Sequence, residues 1–214
     1  MATNTVITIS RQYGSGGRFV GRKLAEALNI PFYDKELITM AAEESGMSRE
    51  LFEKADEKAS NSLLYTLSMN SYLLHGMAGV PDLPLNDKVF LVQSEVIRKI
   101  ADKGPCVIVG RCADYILREL PNCVNVYIYS DMEDRVARAT TYYNLSADRA
   151  KEQIQKTDKK RATYYNFYTN LKWGRAGNYD LSLNSAKIGI DGCVDVICRF
   201  VNCAEAVEAA KEQK

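Results

Sequence analysis

The chain has 214 residues, 46% of them hydrophobic and 26% charged, which is enough for one well-filled α/β core and too short for two independent ones. Lys and Arg number 28 against 27 Asp and Glu, a formal net charge of +1, which argues against a broad basic face for nucleic-acid polymers and makes any cationic site local. No apolar stretch approaches a membrane span, and Met1-Ala2-Thr3-Asn4 starts no basic-then-apolar leader, so the expectation is a cytoplasmic protein without a membrane partner.

Short apolar runs alternate with longer amphipathic ones, the pattern of βαβ units and a parallel sheet. Strands are predicted at 6–9, 31–33, 106–109, 125–129 and 179–183, with a first helix over 18–28. The stretch 35–103 is mostly helical, is broken near Gly76, Gly79, Pro81 and Pro84, and is too long for one crossover helix. Part of it is expected to form a small lobe over the open end of the sheet. The segment 86–103, apolar at Phe90, Val96, Ile97 and Ile100, then returns as a packed helix.

A further helix opens near Ser130-Asp131, whose side chains suit an N-cap, and another opens near Ser146 and runs past Arg161. In the latter, Lys151, Lys156, Lys159, Lys160 and Arg161 alternate with Asp148, Glu152 and Asp158, which reads as an exposed face of i,i+4 pairs. Tyr164, Tyr165, Phe167 and Tyr168 follow at once and require burial or stacking. A terminal helix over 191–211 is expected to pack on the core. Its Cys193, Cys198 and Cys203 read as small buried apolar groups; six cysteines without a C-x-x-C pair and a lone His75 offer no zinc site.

Chemistry concentrates where Gly14-Ser15-Gly16-Gly17 joins the first strand to the first helix. Glycines let a backbone turn with positive φ and bring several N–H groups onto one anion, and the helix N-terminus adds its dipole. Against the phosphate-loop pattern G-x-x-x-x-G-K-[ST], Gln12 stands at the first glycine, Arg18 at the lysine and Phe19 at the hydroxyl. Arg18 suits a phosphate because a guanidinium is permanently charged and donates two parallel hydrogen bonds. Arg11 and Arg22 are nearby candidates of lower rank. Asp34, after the second strand, suits either an acceptor site or the N-cap of the helix that follows. Arg111, one glycine past a buried strand, is placed to enter the crevice where open α/β sheets bind ligands.

Five stretches together resemble the cytidylate kinase-like branch of the nucleoside monophosphate kinases over nearly the whole chain: 7–18, 30–38, 107–114, the helices carrying Arg135, Arg138, Asp158 and Arg161, and 179–185. The resemblance implies a three-layer P-loop kinase fold with a five-stranded parallel sheet, a helical acceptor-side lobe near 35–88 and a lid region near 130–175, all within one domain of 1–214. It implies an ATP-dependent phosphotransferase using Mg²⁺, with CMP or dCMP as the first acceptor to try. Laid on the family's loop without a gap, Gly14-Ser15-Gly16 match, Gly17 falls on the lysine and Phe19 on the threonine. A Mg²⁺ ligand would then be Ser10, Ser15 or another group.

By the same resemblance Gly14, Ser15, Gly16, Gly17 and Arg18 hold the donor phosphates, Asp34, Arg111 and Asp158 serve the acceptor, and Arg18, Arg135, Arg138 and Arg161 neutralise the transferring group. Three departures keep other readings open. Asp34 stands without the family's following glycine, tyrosine and arginine, Cys112 replaces an aspartate with Asp114 two residues on, and Phe19 replaces a hydroxyl. The alternatives are a kinase of another small molecule on the same fold and a nucleotide-binding or sensing module without catalysis.

Overall fold

The structure, a computed structural model, describes residues 3–34, 37, 39, 40, 43, 46, 84–143 and 145–212. Five strands, β1 (Val6–Arg11), β2 (Phe32–Tyr33), β3 (Val107–Val109), β4 (Cys123–Tyr129) and β5 (Leu181–Asn184), form one sheet in the order β2-β3-β1-β4-β5. Every pairing is parallel, and Ile7 on the central strand lies beside Val107 on one side and Val124 on the other. Among the described residues the helices include α1 (Gly17–Leu28), α2 (Leu85–Asp102), α3 (Ala113–Ile116), α4 (Met132–Tyr143), α5 (Ala147–Thr169) and α6 (Ser185–Glu212).

The sheet is parallel because each strand hands the chain to a covering element before the next strand begins, and near-continuous apolar runs fit burial on both faces. Alternation sorts the side chains of β1. Val6 joins Ile108, Phe90, Val96, Ile97 and Ile100 beneath α2 and α3, while Ile7 and Ile9 join Val20, Leu24, Val126, Ile197 and Val201 beneath α1 and α6. These two cores on one sheet are the three layers expected of the chain. A third, smaller cluster, Ala139, Ala150 and Ile154, joins α4 to α5 beside the loop.

Several expectations need adjustment. The first strand runs to Arg11, beyond Ile9, because its ladder with β4 continues to the pair Arg11 and Ile128. The last helix opens at Ser185 and kinks at Gly189, whose φ of 68° breaks the helical path that a sequence period follows. Of the three C-terminal cysteines only Cys193 is buried; Cys198 is half-buried and Cys203 is exposed, since a five-residue spacing walks around a helix. Ser146 precedes α5 as its N-cap residue without a side-chain capping bond. The acceptor-side lobe, including His75, falls almost wholly outside the described residues.

Candidate functional site

β1 delivers the chain into the loop at the centre of the sheet, between β3 and β4, the position at which open α/β sheets form a ligand crevice. Gly14 and Gly16 have φ of 77° and 81°, a region that favours glycine, and Gly16 is the N-cap residue of α1. The first helical bond runs from Val20 N to Gly16 O, so the amides of Gly17, Arg18 and Phe19 precede the helix ladder. No acidic residue occupies that first turn to compensate the helix dipole. A Cβ on Gly14 would come within 2.8 Å of the Arg135 carbonyl oxygen, and one on Gly16 would strike Ile190. Both glycines thus let the loop pack closely against α4 and α6.

Ser15 is fully buried. Its hydroxyl donates to Gln12 O at 2.9 Å, and its own carbonyl accepts from Ser185 Oγ at 2.6 Å, which ties the loop to the start of α6. Gln12 Oε1 accepts from Ser130 N at 3.2 Å. Ser10 Oγ accepts from Trp173 Nε1 at 3.0 Å. Phe19 lies against Tyr142, with ring centroids 4.9 Å apart. The described loop thus presents no hydroxyl at the position where the usual pattern holds Mg²⁺, so the residues here do not fit a loop-held metal. Among the described residues no group of three or more His, Cys, Asp or Glu gathers as a metal site.

Residues of α4 and α5 reach the loop. Arg135, buried, donates from Nε to Tyr13 O at 2.8 Å and pairs through Nη2 with Asp158 Oδ2, while Asp158 Oδ1 accepts from Tyr13 N at 2.7 Å. Arg138 donates to Gly14 O at 2.7 Å and to Asp134 Oδ2 at 2.7 Å. Arg161 donates to Arg11 O at 2.9 Å and lies 5.8 Å from the Tyr13 ring centroid. Every carbonyl used belongs to the turn from β1 into the loop. The arginines thus hold the carbonyls of Arg11, Tyr13 and Gly14 in place.

On the β3 side, Gly110, Arg111 and Cys112 take φ of 82°, 57° and 55° in succession, a tight left-handed turn that starts α3. Asp34 is buried, with Arg18 Nε 2.6 Å from one of its oxygens and Arg11 Nη2 3.7 Å from the other. Burial, and after it the neighbouring Arg161 guanidinium, push Arg11 down to about 9 against the pull of Asp34, and Arg111 and Arg18 lower it further. It stays a cation at neutral pH. Four guanidiniums thus share one corner with the carboxylate of Asp34, an arrangement that favours an incoming anion.

Among the sequence candidates, Arg18, Asp34, Arg111 and Arg161 lie near Arg11, and Arg135, Arg138 and Asp158 brace the loop at Tyr13 and Gly14. Arg22 turns away, 5.8 Å from the Phe32 ring centroid. Arg11, which the sequence ranks below Arg18, lies 3.7 Å from Asp34 at the end of β1. Asp114, judged by its displacement from a family position, is buried on α3 and accepts from Tyr165 OH at 2.7 Å.

Residues 6–187 match the model of the cytidylate kinase-like family. The chain belongs to that family. A crystal structure of an uncharacterized protein from Eubacterium ventriosum is 30% identical, with a TM-score of 0.68, covering 92% of this chain and 98% of that one. More distant likenesses carry the fold alone. A shikimate kinase from Bacteroides thetaiotaomicron is 14% identical with a TM-score of 0.51, covering 92% and 98% of the two chains. A gluconokinase from Sinorhizobium meliloti is 13% identical with a TM-score of 0.53, covering 98% and 99%. No curated protein matches significantly. The five-stranded parallel sheet of this cytidylate kinase-like chain is thus the P-loop kinase fold. Among the described residues no helix is long and apolar enough to cross a membrane.

Proposed function

We propose that the chain is an ATP-dependent phosphotransferase that moves the γ-phosphoryl group to a nucleoside monophosphate, with CMP or dCMP the first acceptor to try. The observation that carries this reading is that Arg11 and Arg18 flank Asp34, with the charges of Arg111 and Arg161 acting on Arg11, beside a loop whose amides lead into α1. Phosphoryl transfer asks little covalent work of a protein; positioning and charge neutralisation carry it. The amides of 14–18 hold the donor phosphates, Arg111 and Asp34 orient the acceptor, and Arg135, Arg138, Asp158 and Arg161 belong to a lid region near 130–175 that steadies the loop and excludes water. A divalent cation accompanying ATP would neutralise its phosphate charge, held by those phosphates and water.

The test is a screen of acceptors with ATP and Mg²⁺, read as ADP release: CMP and dCMP first, then other nucleotides, sugars and small alcohols. Turnover with a non-nucleotide acceptor would move the assignment to a different small-molecule kinase. Arg111→Ala is expected to weaken acceptor use far more than ATP binding, and equal loss in both would remove Arg111 from the acceptor site.

Phe19 packed on Tyr142, together with the engaged hydroxyls of Ser10 and Ser15, favours one second reading, a module that binds nucleotide without turning it over. Measurable ATP affinity with no ADP release across the screen would select it.

A further inference from the structure

The two glycines that face Arg11 explain why the loop lacks its lysine. If Gly16 is taken as the second glycine of G-x-x-x-x-G-K-[ST], the pattern's first glycine falls on Arg11 and its lysine on Gly17. Gly17 needs no special backbone angle, since it is absent from the positive-φ glycines of the described chain. What it lacks is room. A Cβ on Gly17 would lie 2.5 Å from Arg11 Cβ and 3.1 Å from Arg11 Cγ, well inside contact distance. The Arg11 side chain then crosses to β3, where its Nη1 covers Gly110 so closely that a Cβ there would collide with it.

Arg11 therefore begins where a lysine stem at position 17 would begin, and its guanidinium ends at the Asp34 corner beside Arg18. We infer that a cation and a glycine have exchanged places: Arg11, from the end of β1, does the phosphate-chain binding of the loop lysine, and Gly17 is glycine to make space for it. Arg18 is then an outer partner of Asp34, its side chain 42% exposed. The Asp34 carboxylate holds Arg11 extended before a ligand arrives. This inference deepens the nucleotide reading above and uses ATP as its first probe.

Titration of the purified chain with ATP and, separately, with inorganic pyrophosphate tests the exchange. Arg11→Met is expected to raise Kd for both by about 10- to 100-fold, the range for charged hydrogen bonds. The double variant R11G/G17K, which restores the ordinary order, is expected to return to within about threefold of the native chain, a difference under 1 kcal/mol. Native-like affinity in Arg11→Met, or a double variant no better than Arg11→Met, overturns the inference.

Thermal unfolding supplies a readout that needs no ligand. Gly17→Ala is expected to lower Tm by about 3 to 10 °C in the native chain and to be tolerated in an Arg11→Gly background. An equal drop in both backgrounds overturns the steric half of the exchange. Pyrophosphate binding without ATP binding, lost in Arg11→Met, supports Arg11 while sinking the nucleotide reading. Failure of the native chain to bind either anion overturns both.

Discussion

Asp114 shows how much one side chain can depend on where a helix lands. Burial pushes its carboxyl up to about 6 from an ordinary 3.8, and the hydrogen bonds from Tyr165 and from the backbone offset only part of that rise. A carboxyl raised in the folded state binds its proton there more tightly than in the unfolded chain. Its contribution is thus most favourable below about pH 4 and is lost as pH rises through about 6. The difference of about two pH units corresponds to about 3 kcal/mol of penalty at neutral pH. Asp114→Asn keeps an oxygen for the Tyr165 hydroxyl and removes the charge. It is expected to raise Tm at pH 7.5 and leave it nearly unchanged at pH 4; melts across that range check the sign, and equal effects at both ends would show that charge burial is not the cause. Arg11 carries the complementary lesson: a residue read as a lower-ranked phosphate candidate is the side chain that Gly17 and Gly110 leave room for.

At the scale of elements, α5 is where sequence and structure part most clearly. Its charge run does cover an exposed surface at Glu152, Lys159 and Lys160. Asp158 and Arg161, drawn from the same run, instead meet Tyr13 N and Arg11 O, and two turns on Tyr165 and Tyr168 are buried against α3 and α2. Tyr168 stacks on Phe90 with centroids 4.1 Å apart and donates to Asp87 at 3.0 Å. Pair spacing on a helix cannot distinguish a solvated acid from one that holds a loop 145 residues away in sequence. Asp158→Asn retains an acceptor for Tyr13 N but leaves the Arg135 guanidinium buried beside a neutral group. Loss of one partner of such a pair costs about 3 kcal/mol. Urea unfolding should show that loss, and ATP affinity should fall with it because Arg135 and Asp158 both hold Tyr13; unchanged stability would mean that solvent replaces the pair.

For the whole molecule, the sheet order places the loop after the central strand and the Arg111 turn after its neighbour, so the two meet at the carboxyl ends of adjacent strands. A ligand that binds only the folded chain raises its stability by about 2.7 kcal/mol at 100 times Kd. For a chain of 214 residues that is a rise of about 5 to 10 °C in Tm. Calorimetry with increasing ATP checks it, and an unmoved transition at millimolar ATP would remove nucleotide from the proposed function.

The amino-acid sequence by itself determined the alternation of strands and helices, the two-sided burial of the strands, the glycine turn and the packed helix at Leu85–Asp102. These follow from short-range periodicity and from residues with special backbone freedom, both of which are written locally along the chain. It also indicated Arg18, Arg111, Arg135, Arg138 and Arg161 as cations near phosphate. Tertiary structure decided their work: which arginines hold loop carbonyls, which share Asp34, and which glycine gives way to Arg11. Those outcomes depend on distances between segments brought together by the sheet, and a few ångströms in the fold separate a solvated guanidinium from one that shapes the site.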